Sequence, residues 1–456
     1  LADPQLAARE YWVELGGRTH PGRMAMVSGV ELSPDQPAPT LGSDQALVGS
    51  SHAPKSPSAS AGQRSRPFEG LKVLDFSWVG VGPMIAKALA DHGATVVHVE
   101  SAARPDALRL APPFKDGQPG LDRSQFFANF NSSKLGLALD LGNPVAGELA
   151  RKLAGWADIV LESFTPGALD RLGLGYGTLS AGRDDLIMLS TCLNGQTGPF
   201  ASYGGFGLQG AAIAGIHGLT GWPDRPPKGP WGAYTDFINP RIGLAVMGSA
   251  ILRRRETGRG CYIDLAQVEA GIHFIEPLVL DYTVNGKVAA ACGLESDRAC
   301  PHGVYSTQGQ ERYVAVACET AEQWRALKTV VPLGAAFDDP TLDDLHERLP
   351  HDAAIDAAVG AWLAEREPFA AVATLKAAGV PAAVVQRPSD LYADAQLAHR
   401  GFFVTCDHTV MGPTPYDGPV TIFSATPPQM SAAPCVGEHT EYVLREMAGL
   451  SADEIA

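Results

Sequence analysis

Short apolar runs alternate with amphipathic stretches from residue 71 onward. Residues 71–76 are apolar except for Lys72 and Asp75, the pattern of a buried strand. A turn with Gly80 and Gly82 follows, and Pro83 sits where a first helical residue is expected. The helix runs to about Asp91, Gly93 breaks it, and a second strand over 94–99 ends in Glu100. Strand, turn, helix and strand within about thirty residues form a βαβ unit and imply parallel pairing. Further strands are predicted over 158–161 and 186–190, the first after a helical stretch at 145–153. Asn239 as cap and Pro240 as first residue predict a helix through Leu244, Met247 and Ile251, stopped by Gly258 and Gly260. Residues 300–385 read as mixed α/β, with a strand at 313–317 and helices near 321–329 and 353–364. The expected class is α/β with an open, doubly wound parallel sheet.

The start of the chain repeats near its end. Residues 1–13 lie over 392–404 without a gap. Ala2, Asp3, Gln5, Leu6, Ala7, Arg9 and Val13 match Ala393, Asp394, Gln396, Leu397, Ala398, Arg400 and Val404. Ordinary composition gives roughly one such identity. Tyr11 and Trp12 face Phe402 and Phe403, and Leu32 and Ser33 face Phe423 and Ser424. After a short slip, Ala38, Pro39 and Gly42 resemble Ala433, Pro434 and Gly437. Coincidence in Ala-rich sequence is the alternative, against which the preserved order counts. Residues 1–48 therefore read as the tail of a unit whose complete copy closes the chain. Residues 49–67, rich in Ser, Ala, Gly and Pro, read as a linker.

Composition narrows the function. Of 456 residues, 45% are hydrophobic and 19% charged, which suits a core-forming chain. Net charge is 35 − 50 = −15, which argues against a nucleic-acid coat but leaves room for a local basic pocket. The seven cysteines are odd in number and scattered, so neither a disulfide framework nor a metal site is expected. They read as reduced thiols of a cytoplasmic protein. No apolar run approaches the ~20 residues that span a bilayer, and no signal peptide opens the chain. The chain begins with Leu1, not Met, as a processed or excised piece would.

Gly80 and Gly82 in the first strand-to-helix turn, with Glu100 twenty residues past Gly80, invite comparison with a dinucleotide site. The fingerprint is incomplete, because Pro83, Met84 and Ile85 follow Gly82. The position still matters, since open α/β sheets bind ligands at the carboxyl ends of strands.

Several segments, in order, resemble the class III CoA-transferases, the group of formyl-CoA and carnitine CoA-transferases, with α-methylacyl-CoA racemase as a relative. These are Leu71-Lys72-Val73-Leu74-Asp75-Phe76 with Gly82-Pro83, then Gly93-Ala94-Thr95-Val96-Val97, then Asn131-Ser132-Ser133-Lys134. Glu162-Ser163-Phe164-Thr165-Pro166-Gly167-Ala168-Leu169-Asp170-Arg171 is the most specific, although the family usually has Asn at Ser163. Gln196-Thr197-Gly198-Pro199-Phe200 and Thr257-Gly258-Arg259-Gly260 complete the set, and the likeness covers residues 70–450.

The resemblance implies that Asp236 is the nucleophile. A carboxylate suits this work, because it can take an acyl group from a thioester as a mixed anhydride. Read alone, Asp236 is more often a capping or turn residue beside Asn239, and the resemblance reverses that. The resemblance places Val79, Lys134, Ala168 and Arg171 against coenzyme A, with Arg104 and Arg109 as looser phosphate partners, although lone cations are more often solvated surface charges. Acyl-CoA and a carboxylic acid are the implied substrates, with no metal, nucleic acid or membrane. The implied fold is a large CoA-binding α/β domain built from both chain ends with a smaller α/β domain inserted. Two such units interlock as a homodimer or a tandem pseudo-dimer. The expected divisions are 1–48 as tail segment, 49–67 as linker, 68–260 as the first part of the large domain, 261–385 as connecting helices and small domain, and 386–456 as return segment. Gly80 stands where transferases often carry Gln, and Gly207 near where some use Glu. Residues 290–302 show no clear counterpart of a covering Gly-rich loop. Gly205-Phe206-Gly207 replaces the Gly-His-Asp of the racemases, leaving His217 and His302 as substitutes for the lost base. A racemase or lyase, or a non-catalytic CoA-binding subunit, are the rival readings.

Overall fold

The structure is a computed structural model that describes residues 1–32, 34–48 and 66–455. Most of the expected linker lies outside the described residues. The chain forms two compact units: residues 1–220, 227–290 and 401–456, and residues 221–226 and 291–400.

The first unit opens with α1 (Pro4–Ala8), the hairpin β1 (Trp12–Leu15) and β2 (Arg18–Pro21), and β3 (Met26–Val27). It continues with β4 (Lys72–Asp75), α2 (Val81–Asp91), β5 (Thr95–Glu100), α3 (Gln125–Phe130), β6 (Leu135–Ala138), α4 (Pro144–Trp156) and β7 (Ile159–Glu162). Next come α5 (Ala168–Arg171), α6 (Tyr176–Leu179), β8 (Ile187–Cys192), α7 (Gly207–Ile213), α8 (Tyr234–Thr257), β9 (Cys261–Ala266), α9 (Gln267–Ile272) and α10 (Glu276–Asn285). The second unit holds β10 (His302–Ser306), β11 (Tyr313–Ala317), α11 (Ala321–Val330), α12 (Leu345–Arg348), α13 (Asp352–Ala364), α14 (Pro368–Ala378), β12 (Ala382–Val384), α15 (Pro388–Tyr392) and α16 (Ala395–His399). The hairpin β13 (Phe403–His408) and β14 (Gly412–Asp417) returns to the first unit.

A seven-stranded sheet runs β3-β9-β8-β7-β4-β5-β6. It is parallel except where β3 lies antiparallel to β9. Its strands are apolar on both sides because both faces are covered. Val73, Leu161 and Ile263 pack against Ile85 of α2 and Met247 of α8, while Leu74, Val160 and Met188 meet Ala150 and Leu153 of α4. The strand order reverses at β4, with β5 on one side and β7 on the other. The turns after β4 and β7 therefore lie side by side at the carboxyl ends, where a crevice opens.

Residues 261–290 belong to the first unit, because β9 pairs with β8 along six residues from Ile187↔Cys261 to Cys192↔Ala266. Residues 386–400 belong to the second, where Arg312 Nη1 meets Asp390 Oδ2 of α15 at 2.6 Å. Helix α8 starts at Tyr234, so Asn239 and Pro240 lie inside it rather than at its start. Asn239 instead donates its side-chain amide to the Thr235 carbonyl at 2.9 Å. Pro240 has no N–H, so the carbonyl of Asp236 lacks its helical donor.

The repeated segments share local form. The Asp3 carboxylate accepts from the N–H groups of Gln5 and Leu6, and Asp394 accepts from Gln396 and Leu397. Tyr11 and Trp12 meet edge to face at 5.0 Å, and Phe402 and Phe403 at 5.1 Å.

Candidate active site

Asp236 stands in the first turn of α8, where helix N–H groups favour negative charge. It is buried, and Oδ2 accepts from the Gly207 N–H at 3.0 Å. Burial pushes its carboxyl above the ordinary value, and hydrogen bonds from Gly207 and Gln267 offset part of the rise. Thr235 Oγ1, 2.8 Å from Gln267 Oε1 and 3.1 Å from the Gly207 carbonyl oxygen, holds the amide in place. Two glycines permit this packing. A Cβ on Gly207 would lie 2.5 Å from both the Ala233 oxygen and the Asp236 nitrogen, and one on Gly80 would lie 3.0 Å from Asp236 Cβ.

The turns after β4 and β7 form the opposite wall. Ser163 Oγ accepts from the Trp78 N–H at 2.9 Å and donates to the Trp78 carbonyl at 3.1 Å, tying the turns together. Val79 sits at φ +67°, a position strained for a β-branched residue. The Asp106 carboxylate holds it there by accepting its N–H at 3.1 Å. Gly82 lets α2 close onto the turn, since a Cβ there would meet Ser77 Cβ at 2.2 Å. Behind the second turn, the Glu162 carboxylate accepts from the Phe164 N–H at 2.8 Å. Burial pushes its pKa up to about 7.

These walls enclose a cavity of about 130 Å³ that has Asp236, Gln267, Val79, Phe164 and Tyr203 on its lining. Trp78 and Phe164, edge to face at 5.2 Å, also line a second cavity of about 370 Å³. Arg104, Ala168, Arg171, Leu141 and Leu172 face that second space. Arg104 and Arg171 are exposed and show no side-chain partner among the described residues. A chain of cation, apolar wall and buried carboxylate thus runs along the crevice.

Of the expected residues, Asp236 and Val79 line the first cavity, and Ala168, Arg171 and Arg104 the second. Lys134 lines neither. It is fully buried, with Nζ 2.8 Å from both Asp75 Oδ2 and Asn131 Oδ1. Burial pushes Asp75 upward, but Lys134 and His98 hold it well below the carboxylate range. Asp75 in turn accepts the Ser77 N–H at 3.0 Å, which links Lys134 to the turn after β4. Arg109 is also buried, on Glu100 at 2.5 Å and Asp122 at 3.0 Å, which occupies the acid once compared with a ribose reader. Neither His217 nor His302 lines the Asp236 cavity.

Sequence reasoning missed Gln267, Thr235, Tyr203 and the work of Arg9. Arg9 Nη1 meets Asp264 Oδ2 at 2.8 Å, and its Nε pairs with Glu269. Asp264 also accepts the Gln196 N–H at 3.0 Å, beside the cavity wall. Cys192 also lines the cavity, but burial, with Asp264 and Glu162 nearby, pushes its thiol up to about 12, so it stays protonated and is no rival nucleophile.

A family model described as CoA-transferase family III matches residues 68–440. The chain is 28% identical over 427 residues to a probable CoA-transferase of Mycobacterium tuberculosis, covering 92% of this chain and 53% of that protein. It thus spans about half the length of that relative. It is 30% identical over 395 residues to the succinyl-CoA–L-malate CoA-transferase beta subunit of Chloroflexus aurantiacus, covering 85% of this chain and 96% of that one. A solved CAIB/BAIF family protein from Brucella suis aligns with a TM-score of 0.77 at 28% identity, over 84% of this chain and 100% of that one.

Proposed function

Because the chain belongs to CoA-transferase family III, we propose that it moves CoA between carboxylic acids with Asp236 as nucleophile. The observation that carries this reading is a buried carboxylate at the end of a crevice whose far part bears two arginines without a side-chain partner among the described residues. Arg104 and Arg171 suit the phosphates of CoA, and the apolar walls of Trp78, Phe164 and Leu172 suit its slender arm.

The Asp236 carboxylate attacks the thioester carbonyl. A C–O bond forms, the C–S bond breaks, and CoA leaves as thiolate, giving an aspartyl–acyl anhydride. The thiolate attacks the Asp236 carbonyl, releasing the donor acid as carboxylate and leaving an enzyme–CoA thioester. The acceptor carboxylate attacks that thioester, giving a second anhydride and free thiolate. The thiolate then attacks the acceptor carbonyl, which restores the Asp236 carboxylate. No net proton is needed. Burial keeps water from the anhydrides, and Gly207 and Gln267 hold the carboxylate in line.

The racemase reading finds less support, because no histidine lines the cavity among the described residues. The matched helix caps and ring pairs of the two end segments support a second unit interlocked with this one, as a homodimer or fused pseudo-dimer. The free cysteines of the described residues fit a reducing compartment such as the cytoplasm. The test is transfer of CoA from an acyl-CoA to a free acid. The reading requires activity that Asp236→Asn abolishes, and equal activity in that variant would sink it.

A further inference from the structure

Beside the Asp236 cavity lies a third space of about 290 Å³, and Tyr203 lines both. Its other apolar faces are Leu6, Phe200, Ile213 and Val268. Elements that serve Asp236 also line it. Gln267 bonds Asp236, and its neighbour Val268 lines the third space. Helix α7 offers the Gly207 N–H at one end and Ile213 at the other, about 9 Å along its axis.

Most of the polar groups on this lining are already engaged. Gln5 Nε2 donates to the Asn194 and Thr197 carbonyls at 2.7 Å, and Oε1 accepts from the Phe200 N–H at 2.7 Å. Asn194 Nδ2 donates to the Phe200 carbonyl at 3.1 Å. Glu269 is paired with Arg9, and Asp3 caps α1. What remains for a ligand is apolar surface and the Tyr203 hydroxyl. No Lys, Arg or His lines either this space or the Asp236 cavity among the described residues. A second carboxylate on the substrate would enter without a free counter-charge, next to Asp3.

Building on the transferase reading above, we infer that the third space receives the side chain of the acyl group carried on Asp236. The acids handled are therefore apolar monocarboxylic acids several carbons long, not dicarboxylic acids. Tyr203 stands where the chain passes from one space to the other. The segment of residues 1–13, through Leu6, forms part of the specificity wall.

The test compares acetyl-, hexanoyl-, succinyl- and glutaryl-CoA as donors, by kcat/KM and by covalent CoA adduct. It uses the unaltered chain, Ile213→Trp and Ile213→Arg. The inference expects hexanoyl-CoA to exceed succinyl-CoA by 100-fold or more in the unaltered chain. Ile213→Trp, which fills an already exposed edge of the space, should lower the hexanoyl-to-acetyl ratio at least tenfold. Ile213→Arg, which supplies the missing cation, should raise the glutaryl-to-hexanoyl ratio at least tenfold. Preference for succinyl- or glutaryl-CoA, or equal loss on acetyl and hexanoyl donors in Ile213→Trp, would overturn the inference while leaving the transferase reading intact. No adduct and no transfer with any donor would overturn both.

Discussion

Gly207→Ala tests how closely α7 must approach Asp236. The added Cβ would sit 2.5 Å from the Ala233 oxygen and the Asp236 nitrogen, where ordinary contacts begin at 3.4 Å. The start of α7 and the first turn of α8 must therefore separate by about 0.9 Å. The Gly207 N–H to Asp236 Oδ2 bond, now 3.0 Å, would stretch to about 3.9 Å, beyond hydrogen-bonding range. A hydrogen bond to a charged group contributes about 1.5–3 kcal/mol, and misplacing a reacting group by about 1 Å costs up to ~100-fold in rate. We expect kcat to fall roughly 10- to 100-fold. The lost bond also favours the protonated acid, so the acidic limb of the kcat profile should move to higher pH. The assay is steady-state transfer from pH 5 to 8, with CoA affinity measured separately by calorimetry. A kcat within twofold of the unaltered protein, with the limb unmoved, would refute the argument that this contact aligns the nucleophile.

Other perturbations reach the surrounding parts. Glu162 binds its proton more tightly when folded, its pKa rising from the ordinary 4.5 to about 7. Stability is thus full below pH 4.5 and falls by about 3 kcal/mol as pH rises toward 7. Glu162→Gln does not titrate, so chemical denaturation should show its stability gaining on the unaltered protein across that window, and a constant difference would contradict the assignment. Arg104→Ala and Arg171→Ala should each raise KM for acyl-CoA about fivefold with little change in kcat, and added salt should shrink the effect. Unchanged KM values would remove those residues from the phosphate site. Arg9→Met leaves Asp264 and Glu269 buried without their cation, so unfolding free energy should drop by about 3–5 kcal/mol. A drop under 1 kcal/mol would show that the first segment is not anchored through that cluster.

The parallel sheet was legible because strands covered on both faces must be apolar, and runs such as Ile159-Val160-Leu161 have few alternative structures. The start of α8 was not. Asn239 and Pro240 carry a strong local signal for a helix start, but the packing of Thr235 and Asp236 against α7 and Gln267 extends the helix past it. Lys134 shows the limit of reading cations from sequence. A lysine beside a ligand and one neutralising a buried carboxylate look alike until Asp75, fifty-nine residues away, is seen at 2.8 Å. Arg171 lies in the motif that drew attention in the sequence, and Arg104, a looser candidate there, lines the same second cavity. Gln267 left no local signal at all. Its role comes from the register of β9 against β8, which carries the residue after the strand to Asp236. Arg9 stood out only as a repeated residue, and its two acidic partners lie more than 250 positions away.

The central claim is that Asp236 carries the acyl group and then CoA. Intact mass spectrometry of the protein with an acyl-CoA, followed by peptide mapping, tests it most directly. The account predicts a CoA-sized covalent adduct on Asp236 that hydroxylamine removes and that Asp236→Asn lacks. An adduct on another residue, or CoA transfer persisting in Asp236→Asn, would contradict it.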